Sequence, residues 1–125
     1  MAKKVLIVDD EPCFCEMTQY SLQKVGYETV IAVNGQEAMR LLREEKPHIM
    51  LLDLNMPVMD GHEVCRLVRA DDEFKDLPII LVTAVDKSIA AAKVKDKWAD
   101  DYLIKPFDCD VLFEKMNNLL GPIVS

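Results

Sequence analysis

Apolar residues along this chain occur in two kinds of pattern. Short unbroken apolar runs, such as residues 5–8, 49–52 and 79–82, are typical of strands buried on both faces of a parallel sheet. Between these runs, apolar residues recur every three or four positions, which is the spacing of one helix face. The pattern therefore predicts strands and helices in regular alternation.

We predict five strands, each followed by a helix. The strands are expected at residues 4–8 and 27–33, up to Asp53, at 79–83 and at 102–104. The helices are expected to begin at Pro12, after Asn34, after Asp60, at Ser88 (ending at Lys97) and after a capping Asp108. This order favours an α/β fold with a parallel sheet and helices on both faces, in one domain spanning residues 1–125.

Some finer features are also expected. One face of the first helix should be buried through Phe14, Met17, Thr18, Ser21, Leu22 and Val25. Cys13 is interpreted as a packing residue. Asn55, Met56 and Pro57 should break the strand at Asp53 into a loop, and Gly121-Pro122 should follow the last helix.

Composition narrows the function classes. Half of the 125 residues are hydrophobic, and the formal net charge is −7, which argues against direct nucleic-acid binding. No apolar run is long enough to span a membrane, and the start of the sequence is too short and too soon acidic for a signal peptide, so we expect a cytoplasmic protein. The four cysteines, at positions 13, 15, 65 and 109, are expected to be free thiols without zinc.

Polar residues stand where the predicted strands end. Asp9-Asp10 follow the first strand, Asp53 the third, Thr83 ends the fourth and Lys105 follows the fifth. These ends share one edge of a parallel sheet, where reacting groups collect. Judged on its local stretch alone, Asp53 could equally cap the next turn.

This combination of residue types has a definite chemistry. Clustered carboxylates repel one another, and a divalent cation that prefers oxygen ligands, such as Mg²⁺, relieves that repulsion. An aspartate can be the nucleophile in phosphoryl transfer, while Thr83 and Lys105 can bind phosphoryl oxygens. His48 and His62 are interpreted as exposed residues near element ends. The residues thus indicate an aspartyl phosphate.

These motifs resemble the receiver domain of two-component response regulators, of the chemotaxis-receiver kind. The resemblance depends on Asp9-Asp10, the aspartate in LLDLNMPVMDG, Thr83-Ala84 and Lys105-Pro106-Phe107. It implies a flavodoxin-like (βα)5 fold with strand order 2-1-3-4-5. It further implies a signalling phosphoprotein that catalyses its own phosphorylation and dephosphorylation and is not an enzyme for free substrates.

The resemblance also assigns residue roles. Asp53 would accept the phosphoryl group from a histidine kinase or phosphotransfer protein, and Thr83 and Lys105 would bind its oxygens. Mg²⁺ would be held by Asp10, Asp53 and the main-chain carbonyl of Asn55, with Asp9 contributing through water.

A switch is implied as well. Tyr102 matches the aromatic residue whose rotamer follows the switch, and the Lys105–Pro106 bond would be cis. The downstream protein target or output domain is not implied.

Several positions depart from the family pattern. Trp98 replaces a small residue and is expected to pack on Val94, or else to anchor a partner. Val85 is apolar beside the expected phosphoryl site, and lysines gather on the fourth helix at positions 87, 93, 95 and 97. The lysines are interpreted as a solvated face or as a surface for an acidic partner.

Two alternative hypotheses about the function stay open. Asp53-Leu54-Asn55 faintly resembles the nucleophile loop of aspartate-dependent phosphohydrolases of the haloacid-dehalogenase type. A degenerate receiver that only binds partners is the other alternative. Sustained turnover of a free phosphate ester would identify the first of these.

Overall fold

The computed structural model describes residues 2–56 and 59–121. Within these ranges the chain forms five strands and five helices in strict alternation, which confirms the predicted order. The elements are β1 Lys4–Val8, α1 Pro12–Lys24, β2 Glu28–Ala32, α2 Gly35–Glu45, β3 Ile49–Leu52, α3 Gly61–Ala70, β4 Ile79–Thr83, α4 Lys87–Lys95, β5 Asp101–Ile104 and α5 Cys109–Leu120. The expectations for Pro57 and Pro122 fall outside the described residues.

The strands form one parallel sheet in the order β2-β1-β3-β4-β5, as expected. Val8 pairs with Leu52, and Leu52 pairs in turn with Leu81 on the next strand. Because β1 and β3 end level with each other, the residues that follow them, Asp9 and Asp53, emerge side by side. The register of the sheet therefore brings distant parts of the sequence to one edge.

The central strands are buried on both faces. Side chains alternate between faces along a strand, so Leu6 and Met50 join one apolar cluster while Ile7 and Leu51 join the other. Helices α2, α3 and α4 contribute to the first cluster, and α1 and α5 to the second. This burial explains the unbroken apolar runs in the sequence. Of the helices in the described ranges, none has the length and apolar character to cross a bilayer.

Most helices start where the sequence signals predict. Helix α4 differs slightly, since it runs from Lys87 to Lys95 rather than from Ser88 to Lys97, and α5 differs in its cap. The side chains of Asn34 and Asp60 accept hydrogen bonds from the main-chain N–H three residues on, at 2.8 Å and 3.0 Å. Asp108 stands at the corresponding position of α5, but its side chain accepts no capping bond within the described residues. The turn is closed instead by the N–H of Val111, which donates to the Asp108 carbonyl at 3.0 Å.

The buried face of α1 differs from the prediction. Met17 is 71% exposed and Val25 is also exposed, whereas Cys15, Thr18 and Leu22 are buried. Thr18 and Leu22 are buried as predicted, but the buried face is shifted toward Cys15, which packs inward and whose thiol donates to the Asp9 carbonyl at 3.4 Å. For the same reason the interpretation of Cys13 as a packing residue is wrong, because that side chain is exposed; all four cysteines are free thiols.

Candidate functional site

Three carboxylates meet at the edge of the sheet where β1 and β3 end. Ligand oxygens of Asp9, Asp10 and Asp53 lie within 4.8 Å of one another. Asp9 and Asp53 are buried, while Asp10 is exposed. The sheet register alone accounts for this meeting, because Asp53 donates its N–H to the Val8 carbonyl at 3.0 Å. The cluster is an arrangement of hard oxygen donors open to solvent through Asp10.

The two oxygens of Asp53 have different surroundings. Oδ1 accepts a hydrogen bond from the Thr83 hydroxyl at 2.7 Å and another from the Asn55 N–H at 3.1 Å. Oδ2 lies 3.7 Å from the ammonium of Lys105. Because Oδ1 already has two donors, Oδ2 is the freer of the two oxygens for further bonding. Asp53 therefore caps its own turn through Asn55, and its carboxylate also contacts Thr83 and faces Lys105.

Lys105 links the strand end of β5 to the acidic cluster. Its ammonium donates to Asp9 at 2.6 Å and to Glu11 at 3.0 Å, and its side chain is 13% exposed. It also lies 4.1 Å from the centre of the Phe14 ring. Sequence reasoning placed Lys105 here but missed Glu11 and Phe14, because the contact of α1 with this lysine depends on how the helix is rotated on the sheet.

Burial and hydrogen bonding act in opposite directions on the pKa values of Asp9 and Lys105. Desolvation raises the pKa of the Asp9 carboxyl by more than the hydrogen bond from Lys105 lowers it. For Lys105, burial lowers the pKa of the ammonium, but its hydrogen bonds to Asp9 and Glu11 outweigh this effect, and the pKa is raised overall. One ammonium is thus shared among several carboxylates, and the pocket favours an additional cation.

A close contact fixes the loop that carries Asp53. A Cβ atom at Gly61 would lie 2.4 Å from the Asp53 carbonyl oxygen and 2.5 Å from the Leu54 Cα. The Gly61 N–H also donates to the Leu54 carbonyl at 3.0 Å. Sequence reasoning gave Gly61 only as a helix start, yet its lack of a side chain allows α3 to begin against the backbone of Asp53 and Leu54.

The remaining expected site residues lie around this pocket. Asn55 is exposed beside Asp53, and Tyr102 is half-buried on β5 against the apolar cluster. The Lys105–Pro106 bond is cis, as the resemblance implies. The N–H of Val85 lies 3.4 Å from the Thr83 hydroxyl oxygen, so Val85 does border the site.

Trp98 lies away from the acidic cluster, beside an open cavity of about 600 Å³ between α3 and α4. Its ring is half-buried, packs against the same apolar cluster as Val94, and lies 5.8 Å from the Lys93 ammonium. A direct contact between Trp98 and Val94 stays a prediction. His62 borders this cavity and is half-buried, so its interpretation as exposed is wrong, whereas His48 is exposed as expected.

Comparison with known proteins identifies a single family. The family model for the response regulator receiver domain matches residues 5–117. The chemotaxis protein CheY4 of Vibrio cholerae is 32% identical with a TM-score of 0.88, covering 96% of this chain and 100% of that one.

Two further solved structures are similar. The response regulator TrrA of Thermotoga maritima, in complex with Mg²⁺-BeF, is 38% identical with a TM-score of 0.83, covering 94% and 99% of the two chains. The signal receiver domain of a histidine kinase from Syntrophus aciditrophicus is 32% identical with a TM-score of 0.87, covering 96% and 91%.

Proposed function

This chain belongs to the response regulator receiver family, and from that premise we propose that Asp53 accepts a phosphoryl group from a histidine kinase or phosphotransfer protein. The observation that carries the proposal is the position of the Asp53 carboxylate, which touches Thr83, faces Lys105 and lies against Asp9 and Asp10. Phosphoryl transfer needs positioning and charge neutralisation more than covalent chemistry from the protein. The pocket supplies both around one acceptor.

Oδ2 of Asp53 is the proposed nucleophile. Oδ1 is engaged by Thr83 and Asn55, whereas Oδ2 accepts no hydrogen bond from the described residues and lies 3.7 Å from the Lys105 ammonium. In the reaction a new bond forms between Oδ2 and phosphorus, and the bond from phosphorus to the donor breaks. With a phosphohistidine donor the electron pair of that P–N bond returns to the imidazole nitrogen. The product is an acyl phosphate on Asp53.

Thr83 and Lys105 act on the charge that the transferred group carries. The Lys105 ammonium is already 3.7 Å from Oδ2, so a small movement brings it to a phosphoryl oxygen. The Thr83 hydroxyl, which now donates to Oδ1, exchanges that acceptor for a phosphoryl oxygen. Charge-assisted hydrogen bonds of this kind are roughly twice as strong as neutral ones.

The donor set fits Mg²⁺. Asp9, Asp10, Asp53 and the main-chain carbonyl of Asn55 are the residues that would hold the ion, and the carboxylate oxygens among them lie within 4.8 Å of one another. When bound, the ion supplies positive charge beside the phosphoryl group. TrrA of Thermotoga maritima was solved with Mg²⁺-BeF, which supports the same ion for this chain.

Phosphorylation is proposed to switch partner binding through Thr83 and Tyr102. Thr83 pairs with Ile104 on β5, and Tyr102 lies two residues before Ile104 on that strand. A phosphoryl group adds nearly two negative charges beside Thr83. Movement of Thr83 toward it empties space that the half-buried Tyr102 ring can fill, which changes the surface formed by α4 and β5.

The proposed module is not an enzyme for free substrates, although it promotes its own phosphorylation and dephosphorylation. Incubation with acetyl phosphate and Mg²⁺ should release acetate in one burst equal to the protein present, followed by slow turnover. Continuous hydrolysis of p-nitrophenyl phosphate would instead favour the phosphohydrolase alternative, and no reaction at all would favour a degenerate receiver. The cytoplasmic location and the lack of nucleic-acid binding stay predictions from the sequence.

A further inference from the structure

We propose that Phe14 is a positioning residue for Lys105, and that its aromatic face keeps the ammonium turned toward the acceptor oxygen of Asp53. The inference depends on the proposed function, since it assigns a role in phosphoryl transfer to a residue outside the polar pocket. Phe14 would not touch the phosphoryl group, and would act only through the lysine.

The contact itself is close. The Lys105 ammonium lies 4.1 Å from the Phe14 ring centre, well inside the distance of about 6 Å at which an aromatic ring attracts a cation. The other cation–π contacts of the described residues are longer, at 5.3 to 5.8 Å. The Lys105 side chain is only 13% exposed, so water screens this attraction less than at an open surface.

The ring is held in place from another side. Phe14 meets Phe107 edge-on, with ring centres 6.1 Å apart and an angle of 68° between the planes. This geometry is one that aromatic pairs prefer. Phe107 follows Lys105 by two positions, so the pair ties the first turn of α1 to the loop that carries the lysine. A fixed ring can therefore define where the ammonium lies.

A lysine in this pocket needs such a support. Its stem has four flexible carbons, and its ammonium is shared by Asp9 at 2.6 Å and Glu11 at 3.0 Å, while Asp53 Oδ2 is farther away at 3.7 Å. Glu11 is exposed and draws the ammonium outward. An aromatic face offers attraction without taking up a conventional hydrogen bond, so it keeps the cation in the pocket while the third N–H, which neither Asp9 nor Glu11 accepts, stays available for a phosphoryl oxygen.

The chain offers informative substitutions. Phe14→Leu keeps an apolar side chain and removes the aromatic face, whereas Phe14→Tyr keeps the face. Phe14 already borders a surface cavity of about 230 Å³, so the smaller side chain extends an existing opening rather than creating a void in the core. Tyr20→Leu is the matched control, because Tyr20 is an exposed aromatic of the same helix with its own lysine, Lys24, at 5.3 Å.

The experiment measures the rate of phosphorylation by acetyl phosphate at saturating Mg²⁺, together with the dissociation constant for Mg²⁺. We expect Phe14→Leu to lower the rate about fivefold, the effect of losing one partly desolvated cation–π contact. Phe14→Tyr and Tyr20→Leu should match the wild type. Mg²⁺ binding should be unchanged in all three variants, because Phe14 acts on Lys105 and not on the carboxylates.

A second measurement is independent of phosphoryl transfer. The Hε protons of Lys105 should show an upfield ring-current shift in NMR spectra of the wild type, and the shift should vanish in Phe14→Leu. If the wild-type protein is not phosphorylated, the proposed function is refuted. The ring-current shift would still report whether Phe14 contacts Lys105, so the two failures can be told apart. A phosphorylated wild type with an equal rate in Phe14→Leu would overturn the positioning role. Weaker Mg²⁺ binding by Phe14→Leu would also overturn the positioning role, because it would indicate a general distortion of the pocket.

Discussion

The hydroxyl of Thr83 donates a 2.7 Å hydrogen bond to Oδ1 of Asp53, and both residues are buried. The two residues come from adjacent strands, at the end of β4 and directly after β3. In the present state the hydroxyl is therefore engaged by the carboxylate itself. Under the proposed function the hydroxyl exchanges this bond for one to a phosphoryl oxygen when Asp53 is phosphorylated, so Thr83 would connect Asp53 to the β4–α4 loop.

Two substitutions of Thr83 distinguish the role of its hydroxyl from the role of the rest of its side chain. Thr83→Val keeps the shape but removes the donor, and we expect phosphorylation to slow by about tenfold or more, since a hydrogen bond to a charged group contributes about 1.5–3 kcal/mol. Thr83→Ser should stay close to wild type. The rate with acetyl phosphate checks this. Equal rates for the valine and serine variants would show that the hydroxyl has no such role.

Mg²⁺ binding should increase the free energy of unfolding of the protein. At a Mg²⁺ concentration ten times its dissociation constant, wild-type protein should gain about 1.4 kcal/mol in its free energy of unfolding. Asp10→Asn should lose most of that gain, because one of the clustered carboxylates is removed. Urea unfolding with and without Mg²⁺, with the ionic strength matched by NaCl, measures this gain for each protein.

Asp72→Asn, which changes an exposed acidic residue elsewhere on the chain, is the control for net charge. It should respond to Mg²⁺ as the wild type does. The metal assignment fails if Mg²⁺ stabilises Asp10→Asn as much as it stabilises the wild type.

Gly61 should not tolerate a side chain. In Gly61→Ala the new Cβ would lie within 2.5 Å of main-chain atoms of Asp53 and Leu54, and backbone cannot move aside cheaply. We expect a loss of about 1–3 kcal/mol in the free energy of unfolding and slower phosphorylation. His62→Ala, at the next position, should change stability by less than about 1 kcal/mol. Wild-type stability of Gly61→Ala would contradict the described contact.

The cysteines should divide into two reactivity classes. Burial raises the pKa of the Cys65 thiol to about 11, so very little thiolate is present at pH 8, and Cys15 is also buried. Cys13 and Cys109 are exposed. A thiol reagent such as DTNB should therefore label two cysteines rapidly in native protein and the other two only after unfolding in urea. Peptide mapping that found Cys65 rapidly labelled in native protein would contradict this burial.

Much of the fold and the acidic pocket is predictable from sequence for simple physical reasons. Strands buried on both faces leave unbroken apolar runs, and a carboxylate directly after such a run, as at Asp53, marks a strand end. Parallel strands then bring those ends to one edge. The cis bond before Pro106 followed from the family resemblance, not from any local physical signal.

The contacts of α1 were not predictable in the same way. Apolar residues at positions 14, 15, 17, 22 and 25 suit more than one helix face, and packing on the sheet selects the face with Cys15 and Leu22. That choice exposes Met17 and brings Phe14 to Lys105. Only tertiary packing decides this rotation, so neither Phe14 nor Glu11 could be identified as a partner of Lys105 in advance.

The most direct measurement is the intact mass of the protein after incubation with acetyl phosphate and Mg²⁺. Wild-type protein should gain the mass of one phosphoryl group, and the gain should disappear when EDTA replaces Mg²⁺. Asp53→Asn, which keeps the size of the side chain, should gain nothing. An unchanged wild-type mass, or an equal gain in Asp53→Asn, would contradict the assignment of Asp53 as the phosphoacceptor.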